Sequence, residues 1–459
     1  MTILEAYKNR LAISESVYSR SHNGEKMDNM RKLMIAKCLQ NTDNYLREAF
    51  ENSVGTQRSA MGDYKKFCLN LVNCALPNLI APDLVIVSPM SSISGFIAYV
   101  QYTAGSNKGQ TEQGYVFNDP FHLGDVDVNY TSARVVESFT GANAAVTAAW
   151  SPVYSGLNAD GTVDARFDPT AVPRLVSITT AGGTAVAVAD DASVTVGADG
   201  KTLTISNGTG TAIGATDTVK VAYVYNNVQI PQNDLPLLNA RMENIALFAK
   251  PRRIAIYYSQ IAAYQAKTDY GFDLGAQLAE KAVGQLEYEI DTEVTQLLID
   301  NATAEADLTW SKTLPIGVSK AEHYEGFSEI IDLAKQHVYD RTKRFVPNYM
   351  LIASNILPIL NFIKGFSAAP AGKINGPYFA GTLNGVKVFV TPNIAAGKFV
   401  IGVNGDDLMS SAAVYAPYMP VVPTQLLQYA DGGTSQGFST LYDLKMLNPL
   451  LLVAGEVTA

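Results

Sequence analysis

Apolar residues recur at every fourth position of residues 273–302, and this pattern predicts one long amphipathic helix. Val283 and Leu297 widen the apolar face, and Asp273 is suited to cap the N-terminus. At 1.5 Å per residue the helix would be roughly 45 Å long, about three times the usual length. We therefore interpret this segment, called the spine helix below, as a scaffold for distant segments. The apolar stripe consists of Leu274, Leu278, Ala282, Leu286, Ile290, Val294 and Leu298.

The polar face of the spine helix is mainly acidic. We expect the charged residues on it to point away from the apolar stripe, because buried charges need partners. These residues are Lys281, Glu287, Glu289, Asp291 and Glu293.

Residues 1–75 are predicted to be helical. Met27, Met30, Met34, Cys38 and Tyr45 have rough helical spacing. Two alternatives remain open for this segment: an arm that embraces a neighbouring molecule, or a packed helical hairpin. Residues 96–102 alternate as a strand does, and residues 104–130 form a polar, glycine-rich loop of a length that usually has a function.

The composition changes between residues 140 and 230, where alanine, glycine, threonine, valine and aspartate dominate. Short alternating runs separated by glycine-containing turns predict a small β-sandwich, which we interpret as an inserted immunoglobulin-like domain. The runs are LVSITT, AVAV, SVTVG, KTLTIS and DTVKVAYVY.

After this insertion, helical and strand patterns alternate, which indicates an α+β or α/β domain. A strand is predicted at residues 253–258, a loop at 303–322 and a helix at 327–339. A buried strand at 348–353 and a helix at 354–363 follow. The remaining predicted strands are GVKVFVTP, KFVIGV, AAVYAPYMPVV and FSTLYDLKMLNP.

The bulk properties indicate a folded protein of 459 residues with two or three domains. The net charge of −9 argues against a protein that grips nucleic acid over its whole surface. Cys38, Cys68 and Cys74 form no CxxC pair, so we expect reduced thiols. The chain has no apolar run of membrane-spanning length and no signal-peptide core, so we expect it to be made in a cytoplasm, without a membrane.

Two segments resemble the myovirus-type major capsid proteins of tailed bacteriophages. In that family an "xxQPM..PTG.I" pattern precedes an extended loop, and here residues 87–90 read VSPM and residues 94–97 read SGFI. The closing stretch of the family has "YYAPY", then "GF.TRY", then "NP". Here residues 414–418 read VYAPY, Gly437 and Phe438 follow, and Asn448 precedes Pro449. The shared order, with a long helix in between, makes the resemblance specific.

The resemblance implies an α+β, HK97-like capsid fold with a long spine helix, an extended loop and the inserted all-β domain. It implies the following parts: an N-terminal helical arm (1–75), the start of a peripheral domain with the extended loop (76–139), the insertion (140–230), the peripheral domain with the spine helix (231–346), an axial domain (347–436) and a return strand to the peripheral domain (437–459).

The function implied is that of a structural capsid protein located in the virion and assembled in the cytoplasm of a bacterial host. Its expected partners are copies of itself in hexamers, or also pentamers, that form an icosahedral head around double-stranded DNA, together with scaffold, portal and decoration proteins. In that setting the acidic face between Glu287 and Glu293 becomes a candidate inter-subunit or lumen-facing surface. An encapsulin-like nanocompartment shell of the same fold is the alternative. A cell-surface adhesion protein is opposed by the missing signal peptide.

No residue constellation supports an enzyme, a cofactor or a metal. Ser435 lies in a G-x-S-x-G sequence, but the segment after it alternates as a strand, whereas a nucleophile elbow requires a helix there. The four histidines lack ligand spacing, and the acidic pairs at 190–191 and 406–407 are typical of exposed turns. There is also no phosphate-binding P-loop motif.

Two basic clusters are candidate inter-subunit contacts: Lys250, Arg252 and Arg253, and Arg341, Lys343 and Arg344. They are either ordinary solvated residues or charges that meet the acidic loop of a neighbour, at Asp119, Asp125 and Asp127. Under the second hypothesis, Arg252→Glu or Arg344→Glu impairs assembly more than folding. Because some capsid relatives cross-link through lysine, Lys108 is a candidate for that chemistry by position alone.

Overall fold

The computed structural model describes residues 3–21, 26–51, 68–73, 75–108, 111–117, 130–141, 145–155, 172–225, 235–369, 376–424 and 426–458. The chain forms two compact units. Unit 1 comprises Met1–Tyr99 and Asn244–Ala459, and unit 2 comprises Val100–Glu243.

The labelled α-helices, in chain order, are α1 (Ile3–Ala6), α2 (Lys8–Ser21), α3 (Asn29–Glu51), α4 (Ala81–Leu84), α5 (Gln260–Asp269), α6 (Leu274–Asp300, the spine helix), α7 (Lys320–Glu325), α8 (Phe327–Thr342) and α9 (Leu357–Leu360). Residues 68–73 are also helical. No helix in the described part of the chain is both long and apolar enough to cross a membrane.

The strands of unit 1, with the two that continue into unit 2, are β1 (Ile86–Val87), β2 (Ser94–Ala104), β11 (Leu238–Phe248), β12 (Lys250–Ser259), β13 (Thr303–Ser311), β14 (Tyr349–Ile352), β15 (Phe366–Ala368), β16 (Tyr378–Leu383), β17 (Val386–Val390), β18 (Lys398–Gly402), β19 (Ala413–Pro423), β20 (Leu427–Gln428), β21 (Gly433–Met446) and β22 (Leu452–Thr458). Those of unit 2 are β3 (Arg134–Thr140), β4 (Val146–Thr147), β5 (Val153–Tyr154), β6 (Arg174–Thr179), β7 (Ala185–Val186), β8 (Ser193–Val196), β9 (Thr202–Ser206) and β10 (Thr218–Tyr225).

The predicted spine helix is confirmed. Asp273 caps it, because its carboxylate accepts hydrogen bonds from the backbone N–H groups of Gly275 at 2.9 Å and Ala276 at 3.3 Å. The apolar stripe, including Ala282 and Leu286, packs on the sheet formed by β1, β19, β21 and β12 in that order, with β20 paired to β21. Burying this stripe stabilises the helix more than its intrinsic propensity does.

The prediction that the acidic face points outward is wrong at Asp291. This residue is 1% exposed, and its carboxylate accepts from the backbone N–H groups of Ile80 at 3.0 Å and Ala81 at 3.3 Å. These two N–H groups lie at the start of α4, where the first backbone donors of a helix have no acceptor within the helix itself. A charged residue in the middle of the spine helix therefore anchors a segment more than 200 positions away.

A second sheet of unit 1 has seven strands, in the order β13, β22, β18, β14, β17, β16, β15. It includes β13, so the predicted loop at 303–322 is wrong in its first half. This segment is extended because β13 pairs in parallel with β22, the last strand of the chain, a partner that local sequence does not reveal. The predicted helix at 354–363 is also shorter than expected, Leu357–Leu360.

The two sheets of unit 1 do not follow the predicted divisions at 346/347 and 436/437. Residues 303–311 and 452–458 share the seven-stranded sheet with residues 349–402, whereas residues 413–423 join the spine sheet with residues 433–446. The chain enters the second sheet directly after the spine helix and returns to it at the C-terminus. The peripheral and axial assignments themselves remain predictions.

The N-terminal helices pack within unit 1 as a hairpin, the second of the two alternatives. Met34 and Ile35 of α3 are at most 1% exposed. The amide of Asn41 donates to the backbone carbonyls of Met90 at 2.7 Å and Tyr418 at 2.9 Å. These bonds fix α3 against the spine sheet.

Unit 2 contains the predicted short strands. One sheet has the order β3, β10, β6, β7, with β5 paired to β10, and a smaller sheet has the order β4, β9, β8. Both sheets contribute to one core, for example through Val219 and Ile178 from the first and Leu203 from the second. This is a β-sandwich. Its immunoglobulin-like character stays a prediction.

Candidate assembly surfaces

The first basic cluster separates into an internal arginine and two exposed residues. Arg252 forms an ion pair with Glu293 of the spine helix, and its guanidinium lies 4.0 Å from the centre of the Tyr442 ring. The Tyr442 hydroxyl donates to the same carboxylate. Burial and this carboxylate raise the pKa of Tyr442, which keeps the hydroxyl protonated as a donor. Arg252 is thus bound inside the subunit.

Strand alternation explains the separation. Arg252 lies on the same face of β12 as Ile254 and Ile256, which pack on the spine helix, whereas Arg253 lies on the opposite, exposed face. Lys250, at the start of the strand, is also exposed. Neither Lys250 nor Arg253 forms an ion pair with another described residue. The period of two in the sequence was the signal that could have singled out Arg252.

The second basic cluster separates in the same way. Arg341 is half-buried and forms an ion pair with Glu305 of β13, and burial lowers the pKa of its guanidinium. Lys343 ends α8 in the left-handed conformation, with a φ of 55°, and its amine lies 3.8 Å from the Asp340 carboxylate. Arg344 follows it and is exposed. Lys343 and Arg344 are therefore the members that face solvent.

Glu305, Asp307 and His337 are the group of the described residues that could hold a metal ion, with ligand atoms within 4.8 Å of one another. His337 Nε2 lies 2.7 Å from the Asp307 carboxylate, and Arg341 already engages Glu305. A guanidinium beside the carboxylates disfavours a bound cation. The cluster is better explained as an ion pair between Arg341 and Glu305 and a hydrogen bond between His337 and Asp307, which join β13 to α8.

The proposed acidic partners Asp119, Asp125 and Asp127 lie outside the described residues. Lys108 is described and is 2% exposed. Its amine donates to the carbonyls of Tyr130, at 2.8 Å, and Ser132, and it lies 5.3 Å from the centre of the Tyr225 ring. Lys108 is therefore buried within unit 2, where its amine fixes the segment around Tyr130. Cross-linking to a neighbouring subunit would require an exposed amine, which Lys108 does not have in this structure.

Ser435 lies inside β21, where it pairs with Tyr257 of β12 and Leu427 of β20. A nucleophile elbow requires a sharp turn between a strand and a helix, with the serine at its tip. The strand on both sides of Ser435 is therefore not the geometry of a nucleophile elbow.

Sequence reasoning missed an aromatic patch on unit 1, which we define as Tyr257, Ile261, Tyr264 and Tyr429. Their exposed fractions lie between 51% and 73%. The Tyr257 and Tyr429 rings are 6.4 Å apart, and the Tyr257 hydroxyl donates to Asp431 at 3.2 Å. Ile261 and Tyr264 are three positions apart on α5 and share one face. The sequence did not predict this exposure, because the apolar and polar residues of α5 do not separate clearly onto two faces of the helix.

Comparison with known proteins supports an assembly role. The family described as major capsid protein Gp23 matches residues 61–458. The major capsid protein of Vibrio phage KVP40 is 23% identical over 435 residues, which cover 86% of this chain and 78% of the relative. That of Enterobacteria phage T4 is 22% identical over 417 residues, which cover 85% and 76% respectively.

Solved structures with a weaker likeness include the mature capsid of bacteriophage PhiM1, with a TM-score of 0.34, 14% identity and coverage of 51% of this chain and 79% of the other. The SrpI encapsulin complex of Synechococcus elongatus PCC 7942 has a TM-score of 0.33 and 10% identity, and the likeness covers 49% of this chain and 79% of the other. Because the family match spans most of the sequence, from residue 61 to residue 458, the chain belongs to the Gp23 family of major capsid proteins and is a structural protein of the phage head shell.

Proposed function

We propose that the chain assembles into hexamers, and also into pentamers, that close as an icosahedral head around double-stranded DNA. The observation that carries this proposal is the aromatic patch on unit 1. Soluble monomers seldom expose several large apolar side chains together, and such surfaces usually mark interfaces. Burial against further copies of the same chain would remove this surface from water.

The exposed members of the two basic clusters are proposed as secondary contacts. Arg253 and Arg344 face solvent, and Lys250 and Lys343 lie beside them. Charges of this kind set the orientation of a neighbour and the rate of association more than the affinity. Their proposed partners are the acidic loop residues Asp119, Asp125 and Asp127 of another copy. Arg252 and Arg341 are left out of this proposal because each already forms an ion pair within the subunit.

The shell is proposed to enclose DNA without binding its sequence and without catalysis. The net charge of −9 supports this, because a wall that attracted phosphate strongly would oppose packing and release of DNA. Scaffold, portal and decoration proteins are the proposed further partners, and the virion, assembled in the host cytoplasm, is the proposed location.

The test is expression of the unmodified chain, with electron microscopy of the purified product. We expect closed particles that protect DNA from nuclease when the other head proteins are present. Closed particles that contain protein cargo and no DNA would favour the nanocompartment alternative. A product that stays monomeric at high concentration with its head partners present would overturn the proposal.

Two substitutions examine the surfaces separately. Tyr264→Asp places a charge on the aromatic patch, and Arg344→Glu reverses a solvent-facing charge. Both should abolish or reduce particles while changing the free energy of unfolding by less than about 0.5 kcal/mol, because neither residue is buried. Tyr264→Phe and Arg344→Lys are the matched controls, which should assemble normally.

A further inference from the structure

The segment that follows β2 folds back on this strand inside unit 2. The backbone N–H of Gly114 donates to the Ala104 carbonyl at 2.7 Å, and the N–H of Ala104 donates to the Tyr115 carbonyl at 2.8 Å. The sequence indicated only a polar, glycine-rich loop in this place. The described part of that loop is instead bonded to the strand from which it leaves.

The same segment is bonded to the residues that lead into β11, the strand paired with β2. The N–H of Gly105 donates to the Leu237 carbonyl at 2.7 Å, and the N–H of Leu237 donates to the Ser106 hydroxyl at 3.2 Å. A Cβ on Gly105 would lie 2.7 Å from the Leu237 Cβ, so a larger residue would force the two segments apart. We call this bonded structure the ribbon end, and it consists of residues 100–108, 111–117 and 237–243.

One side chain of the ribbon end reaches into the β-sandwich. The Lys108 amine donates to the carbonyls of Tyr130, at 2.8 Å, and Ser132, which both precede β3. The same amine lies 5.8 Å from the centre of the Trp150 ring and 5.3 Å from that of the Tyr225 ring. Both rings belong to the core cluster of the sandwich and are 5.2 Å apart. A lysine of the ribbon end is therefore held by backbone and rings of the sandwich.

The backbone of Lys108 is also fixed, which directs the side chain. Its N–H donates to the Thr111 carbonyl at 2.8 Å, and the N–H of Thr111 donates to the Lys108 carbonyl at 2.9 Å. A lysine side chain loses much conformational entropy when it is immobilised. Prior ordering of its backbone lowers this cost, so the contact favours one geometry.

A second side chain crosses in the opposite direction, from the start of the sandwich to the ribbon end. The Tyr130 hydroxyl donates to the Leu237 carbonyl at 2.7 Å and lies 3.3 Å from the Ser106 hydroxyl. The centres of the Tyr130 and Phe117 rings are 4.8 Å apart. Attachment at two separate points restricts rotation about either one.

We propose that Lys108 is a latch that locks the sandwich onto the ribbon end, so that unit 2 moves as one rigid body. Directional hydrogen bonds from a buried amine specify a single geometry more sharply than apolar packing alone. The inserted domain is thus a fixed bracket and not a module on a flexible linker. In a shell of identical subunits, such a bracket presents the same surface from every copy, as repeated contacts require. The latch acts within one subunit and does not depend on the proposed self-assembly.

Spin-label distances in unassembled subunits test the rigid body. Labels are attached at Met242→Cys on the ribbon end and Val176→Cys on the sandwich, where the native side chains are 70% and 45% exposed. The chain without these two substitutions, treated with the same label, gives the background from the native cysteines. We expect one narrow distance peak, and a broader distribution when Lys108→Met removes the amine. Lys201→Met, which removes an exposed amine of the sandwich, is the matched control and should keep the peak narrow.

Hydrogen exchange of the same variants locates the loosened contacts. Lys108→Met should speed the exchange of peptides that cover residues 104–117 and 130–134 by about tenfold, as expected for the loss of one hydrogen bond. Exchange in β8 and β9 should stay at the parent rate, which shows that the sandwich is still folded. Tyr130→Phe keeps the ring but loses the bond to Leu237, so it should give a smaller increase, confined to the ribbon end.

A broad distance distribution in the parent chain would overturn the latch, because the two parts would already move independently. The latch also fails if Lys108→Met leaves distances and exchange at parent values, or if Lys201→Met loosens unit 2 equally. Where Lys108→Met unfolds the sandwich, Tyr130→Phe decides: broadening supports the two-point attachment, and parent-like behaviour overturns it. A chain that formed no particles would refute self-assembly and leave these results unchanged.

Discussion

The spine helix of unit 1 and the β-sandwich of unit 2 are held by contacts of very different sequence separation. Asp291 of the spine helix bonds a backbone N–H 211 positions away, and Glu293 accepts from a tyrosine 149 positions away. In the sandwich, all members of the core cluster lie between Val135 and Tyr225. The spine region is therefore stabilised by segments that are far apart in the sequence, whereas the sandwich builds its core from one continuous stretch between Val135 and Tyr225.

The polar groups differ in the same sense. The spine region uses a buried carboxylate and a half-buried ion pair to join distant segments. The sandwich places its acids mainly in exposed turns: Asp199 accepts from the hydroxyl and backbone N–H of Thr202, which lowers its pKa to about 2. A lost polar contact should consequently be costly in unit 1 and mild in unit 2.

The two tryptophans allow this comparison to be measured. Trp150 belongs to the sandwich core, and Trp310 lies in the seven-stranded sheet of unit 1. Trp150→Phe leaves a fluorescence reporter for unit 1, and Trp310→Phe leaves one for unit 2. Denaturation of unassembled subunits in these two backgrounds reports each region separately.

The largest effect is expected from Asp291→Ala. Two buried N–H donors, of Ile80 and Ala81, would lose their acceptor, and each unsatisfied buried donor costs about 1–3 kcal/mol. We therefore expect unit 1 to lose about 2–6 kcal/mol by the Trp310 signal. Asp291→Asn keeps one amide oxygen and should lose less than half as much. Equal stability of the alanine variant and the parent would contradict the role given to this cap.

Ile178→Ala should have the next largest effect, and it should be confined to unit 2. The side chain is 1% exposed in the sandwich core, and removal of a buried isoleucine costs about 2–5 kcal/mol. Only the Trp150 transition should shift. Val176→Ala, on the exposed face of the same strand, is the control and should change little. A matching shift in the Trp310 signal would show that the two units unfold as one.

Arg252→Ala should destabilise unit 1 moderately, by about 1–2 kcal/mol. Solvent weakens its ion pair with Glu293, because the Glu293 side chain is 43% exposed. The contact of the Arg252 guanidinium with the Tyr442 ring adds a cation–π attraction. Arg253→Ala, its neighbour on the exposed face, should change the free energy of unfolding by less than about 0.5 kcal/mol. Equal effects of the two alanine variants would mean that strand alternation does not separate their roles.

The smallest effect depends on pH and concerns Glu137 of the sandwich. Burial raises its pKa above 4.5, so the folded state binds the proton more tightly than the unfolded state. Its carboxylate consequently destabilises unit 2 as the pH rises from 4.5 through the folded pKa. We expect Glu137→Gln to raise the Trp150 melting temperature at pH 7, with the gain vanishing below pH 4.5.

Asp199→Asn is the opposite case and serves as the control. Because the folded pKa of Asp199 is lowered to about 2, its carboxylate stabilises the sandwich above pH 3.8, and this contribution is lost as the pH falls towards 2. The asparagine variant should be less stable than the parent at neutral pH. Identical pH profiles for the glutamine and asparagine variants would contradict the assigned causes of both shifts.

The sequence by itself determined the spine helix, its Asp273 cap, the strands of the sandwich and the capsid family. All of these depend on repeating or ordered patterns of nearby residues, which local backbone geometry converts directly into helix and strand. The family resemblance likewise rested on short motifs in a fixed order.

Only the tertiary structure decided how the charged residues are used and which strands share a sheet. Spacing placed Asp291 on an outer face, but the backbone of residues 80–81 covers it. The charge of Arg252 looked available, although its strand face points to the spine helix. The segment of β13 became a strand because the C-terminal β22 lies beside it. Contacts over such separations leave no periodic trace in the sequence, because the partner that satisfies each group is brought near only by the fold.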